Sequence, residues 1–86
     1  MIAKLVEDNL DEFMGHAALY SVDPPMVSNF KKKSYSYVVV SHLAALETVI
    51  FGSNESGMTD ACLFTWQEPW VDHEEALKRA GYTIEE

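Results

Sequence analysis

The sequence predicts an α+β fold: a small antiparallel sheet of three to four strands flanked by an N-terminal and a C-terminal helix, in one domain spanning residues 1–86. Three observations carry that expectation. Apolar residues recur at spacings of three and four from Ile2 to Met14. The run Tyr35-Ser36-Tyr37-Val38-Val39-Val40 is aromatic and β-branched, as strands are. Asp72 followed three residues later by Glu75 has the pattern of a helix start.

Taken in order, Ile2, Leu5, Val6, Leu10, Phe13 and Met14 would form the apolar side of an amphipathic first helix, with Gly15 as its left-handed cap. His16 to Val22 reads as a short strand, and continuing the helix to Tyr20 is the competing reading. Asp23-Pro24-Pro25 should end whichever element precedes it, because neither proline donates a backbone hydrogen bond. Residues 26–34 then make a connection carrying Lys31, Lys32 and Lys33, half of the six basic residues. Tyr35 to Val40 is apolar on both faces and so belongs inside the sheet.

Thr48 to Phe51 forms the next strand. The turn-forming tract from Gly52 to Gly57 reverses the chain into a further strand around Ala61 to Trp66. Connections this short favour an antiparallel meander. In the last helix Ala76, Leu77 and Ala80 give an apolar side and Gly81 the stop, while Glu74–Lys78 and Glu75–Arg79 are favourably oriented i,i+4 pairs.

Composition narrows the function classes. Eighty-six residues, 48% of them hydrophobic, suffice for one core but not for a large one, so dimerisation would help. A net charge of −8 disfavours direct nucleic-acid binding and favours basic partners. The single cysteine, Cys62, allows no intramolecular disulfide and points to a reducing interior. The N-terminus turns acidic before an apolar run of signal-peptide length develops, and no apolar stretch approaches the ~20 residues of a membrane span. A soluble cytoplasmic protein is expected.

Chemical motifs fail on inspection. His73-Glu74-Glu75-Ala76-Leu77 begins like a zinc-protease helix, but Leu77 stands where the second histidine must be, so His73 reads as a surface residue. His16, His42, His73 and Cys62 match no metal-ligand spacing. Cys62, within Ala-Cys-Leu-Phe, reads as a small buried apolar residue. The glycines at 52 and 57 lack the lysine of a phosphate loop. No enzyme activity, cofactor or metal is therefore expected. Of the two tryptophans, Trp66 is assigned to the core and Trp70 to an interface.

The acids Glu7, Asp8, Asp11 and Glu12 fall in the expected first helix with no lysine or arginine in reach except Lys4, whereas the last helix supplies its own basic partners. Repulsion costs about 0.2–0.5 kcal/mol per pair, so an unpaired stripe suggests a field put to use.

The segments Tyr37-Val38-Val39-Val40-Ser41, Glu47-Thr48-Val49-Ile50-Phe51 and Asp72-His73-Glu74-Glu75-Ala76-Leu77, with Ala80-Gly81-Tyr82, give residues 17–84 a pattern. That pattern resembles small, functionally unassigned proteins encoded by bacteriophages and other mobile elements. The resemblance carries no catalytic residue. It implies a phage-type origin, where genes of this size often encode inhibitors of host machinery or of antiviral defence, and anti-CRISPR proteins are similar in size and charge. The resulting expectation is a non-enzymatic inhibitor in a bacterial host. Glu7, Asp8, Asp11, Glu12 and Trp70 would bind a basic, nucleic-acid-handling surface by charge mimicry. The alternative is a structural or adaptor protein acting through self-association.

Overall fold

The N-terminal segment decides the architecture, and it is not a helix. The computed structural model describes residues 1–10, 16–28, 33–43, 47–68 and 70–85. In it Ile2–Glu7 forms strand β1, bonded antiparallel to β2 (His16–Ser28) on one side and parallel to β6 (Thr83–Glu85) on the other. The spacing of Ile2, Leu5 and Val6 fits a helix, but two of the three are β-branched, and a short helix takes most of its stability from packing. As a strand the segment satisfies both backbone edges and buries Ala3 completely. The remainder of the expected helix, with Phe13, Met14 and the Gly15 cap, lies outside the described residues.

Three further strands, β3 (Lys33–Leu43), β4 (Glu47–Ser53) and β5 (Thr59–Trp66), precede helix α1 (His73–Arg79). The strand order is β5-β4-β3-β2-β1-β6. Strands β2 to β5 follow the expected antiparallel meander, β1 extends it where a helix was expected, and α1 then carries the chain to the opposite edge, where β6 lies parallel to β1. The fold is thus a six-stranded mixed sheet with one short helix, which corrects the expectation of three to four strands between two helices. Among the described residues no helix is long and apolar enough to cross a membrane.

Strand β2 also runs past its expected end. Its pairing with β3 breaks between Ser21 and Met26, so Asp23, Pro24 and Pro25 sit in a bulge where no ladder donor is required, with a cis bond between Asp23 and Pro24. Pairing resumes at Met26↔Tyr35, and the supposed connection is partly strand. The Tyr82 hydroxyl donates to the Pro24 carbonyl at 2.6 Å, tying this bulge to the turn before β6.

As its composition demanded, β3 lies inside the sheet and is buried on both faces. Val38 and Val40 join the larger core cluster with Ala18, Tyr20, Ile50 and the helix residues Ala76 and Leu77. Val39 joins the smaller cluster on the opposite face, with Ala17 and Leu19. Gly52 in β4 is required by close approach. A Cβ there would lie 2.6–2.8 Å from three atoms of the Tyr35 ring, which is itself buried and bonded through its hydroxyl to Asp60. The helix begins as predicted: Asp72 accepts from the Glu75 amide at 2.9 Å, and Gly81 follows at φ +96°.

Candidate functional site

The β2–β3 register places His16 directly opposite His42, so both imidazoles project from one face of the sheet. The Asp72 cap starts α1 above that face, and His73, the next residue, closes over them. All three histidines of the chain thereby meet in one cleft of about 310 Å³. The His16 and His73 rings stack with centroids 4.3 Å apart and planes 18° from parallel. Leu5 and Ile84 form the apolar part of the wall, and Asp8, Asp72 and Glu74 bring carboxylates to it.

The hydrogen bonds assign the protons. His73 Nε2 lies 2.8 Å from the His16 carbonyl, which only accepts, so Nε2 carries the hydrogen. Nδ1 of neutral His73 is then an acceptor and receives the Tyr20 hydroxyl at 3.1 Å. Thr48 Oγ1 donates to the Val71 carbonyl, so its bond to His42 Nδ1 at 2.7 Å is one in which the imidazole donates. His42 is thus fixed as the Nδ1–H tautomer. Asp8 meets His16 Nε2 at 2.5 Å and also accepts from the Asn9 amide.

The electrostatics follow from this packing. Burial holds the His73 imidazole below its ordinary pKa, and the neighbouring His16 and His42 act in the same direction, against the His16 carbonyl and Asp8. Burial, with smaller contributions from Asp8 and Asp72, pushes the Tyr20 phenol up to about 12. The His16 bond, and next the Asn9 amide, draw the Asp8 carboxyl below its usual range. Both His73 nitrogens and His42 Nδ1 are occupied by protein partners. Among the described residues no group of three or more His, Cys, Asp or Glu is placed to hold a metal.

The residues singled out in the sequence have separate fates. Glu7 ends β1, paired with Leu19 and exposed, while Asp8 turns into the cleft. With β1 extended, these two no longer belong to a helical stripe; Asp11 and Glu12 lie outside the described residues. Trp70 is 67% exposed in the turn before α1, whereas Trp66 packs against the main core and stacks on Phe64 at 5.6 Å.

Two readings need correction. His73 is buried rather than at the surface, because the strand carrying His16 passes beneath the first turn of α1. Cys62 is exposed, because β5 is an edge strand. The histidine cleft itself escaped sequence reasoning. Its only advance signal was the helix cap beside His73, and nothing local indicated that His16 and His42 are cross-strand neighbours.

Comparison with protein-family models, with curated proteins and with solved structures finds no match.

Proposed function

We propose that this protein is a small acidic binding protein that acts without catalysis, engaging a cationic surface of a partner of the kind that handles nucleic acid. One observation carries the reading. Of the four described cations, Lys4, Lys33 and Arg79 are held in ion pairs with Glu85, Asp60 and the Glu68/Glu75 pair, and Lys78 is exposed on α1, on a chain whose net charge is −8. The surplus negative charge is left facing solvent. Asp8, Asp72 and Glu74 line the histidine cleft, and in this reading its rim replaces the helical stripe as the binding surface.

The chemistry of the cleft favours binding over turnover. Thr48 is fully buried with its hydroxyl donated to a carbonyl, and Tyr20 stays protonated near neutral pH. Cys62 lies outside the cleft on β5, its thiol pushed up by partial burial and then by Glu47. A base is present without an activated nucleophile. Self-association through the open edge of β5 is opposed by two irregularities in its pairing with β4, a device that turns an edge away from partners.

The test is binding to an immobilised arginine-rich peptide across salt concentrations, for the wild type and an Asp8→Asn, Asp72→Asn, Glu74→Gln variant that keeps the helix cap. Exposed pairs contribute about 0.2–1 kcal/mol each, so the variant is expected to bind about tenfold more weakly with a flatter salt dependence. Equal affinity and equal salt dependence would remove the reading.

A further inference from the structure

His73 lies face to face with His16, and both of its nitrogens are committed: Nε2–H to the His16 carbonyl and Nδ1 to the Tyr20 hydroxyl. A proton added at Nδ1 abolishes that acceptor and forces the Tyr20 hydroxyl to reverse. If His16 is charged as well, two cations face one another at the 4.3 Å stacking distance, an arrangement that folding must oppose. The charged and titratable groups around His73 are Asp8 from the β1–β2 connection, His16 and Tyr20 from β2, His42 from β3, and Asp72 and Glu74 from α1's own end. The three carboxylates are exposed, and Asp8 already serves His16, whereas the bonded nitrogens of His73 face β2.

We propose that this stack is an acid-operated latch: near neutral pH it fastens the first turn of α1 to β2, and protonation of both rings releases that turn from the sheet. The latch rests on the stack's own geometry and stands whether or not the cleft binds a cationic partner. The direction is set by burial, which keeps the folded His73 below its ordinary value of 6.5. The unfolded chain therefore takes up the proton first, so the latch is fully closed above that pH and weakens as pH falls below it.

Amide hydrogen exchange at Ala76 and Leu77, corrected for intrinsic rates at pH 7.5 and 5.0, reads the latch directly. In the wild type, protection of these amides should drop about tenfold, while Val39 and Ile50 inside the sheet hold theirs. His73→Gln keeps a donor for the His16 carbonyl without titrating and should show no such drop. His16→Ala leaves that carbonyl in place but removes the second charge, and should keep most of the protection at pH 5.0. Protection in the wild type that ignores pH, or a drop of equal size in both variants, would overturn the latch.

Discussion

Replacing Gly52 with alanine tests how tightly the sheet is closed at one defined point. The new Cβ would meet three atoms of the Tyr35 ring at 2.6, 2.7 and 2.8 Å, below any separation that packed carbons tolerate. The ring cannot swing away freely: Tyr35 is 3% exposed and its hydroxyl is held by Asp60 at 2.8 Å. Overpacking of this kind costs about 1–3 kcal/mol, and alanine in a strand recovers about 0.5–1 kcal/mol relative to glycine. A net loss of about 1–2 kcal/mol is expected from urea denaturation of Gly52→Ala. The diagnostic step is the same substitution in a Tyr35→Ala background, where the clash is gone and Gly52→Ala should be neutral or stabilising. An equal loss in both backgrounds would refute the contact between ring and glycine.

Leu77→Ala should cost about 2–5 kcal/mol by the same assay, because Leu77 is fully buried between α1 and the sheet. Thr48→Val preserves shape but leaves the Val71 carbonyl and the His42 Nδ1–H without their shared partner; about 1–3 kcal/mol should be lost, and the His42 tautomer should cease to be fixed. For Asp8→Asn the sign follows from the lowered Asp8 carboxyl: its contribution is present above the ordinary value of 3.8 and disappears as pH falls through the folded value. Stability measured against pH should therefore separate wild type from variant at pH 6 and bring them together in strong acid.

Legibility tracked how local the cause was. Strand β3 declared itself because Val38, Val39 and Val40 are β-branched on both faces, and α1 because a cap, a first-turn acid and a terminal glycine sit at fixed offsets. Strand β1 was misread because Ile2, Leu5 and Val6 satisfy helical spacing, while the evidence against a helix is two partner strands supplied from elsewhere in the chain. Strand β6, with three residues, is too short to show any period, and its pairing exists only because α1 delivers it beside β1. Asp23-Pro24-Pro25 looked like a terminus because a bulge and a chain end make the same demand on proline. The cleft was the least visible feature of all. It requires the β2–β3 register, the return of α1 over that face and the placement of Asp8 together, and none of these is written near any one histidine.

The central claim is that this fold gathers the three histidines into one ordered cleft with fixed protons. Long-range nitrogen–proton NMR of the histidine side chains at pH 7.5 tests it most directly. The account predicts two locked and opposite tautomers, Nε2–H for His73 and Nδ1–H for His42. Both rings showing the averaged tautomer shifts of free imidazole would contradict it.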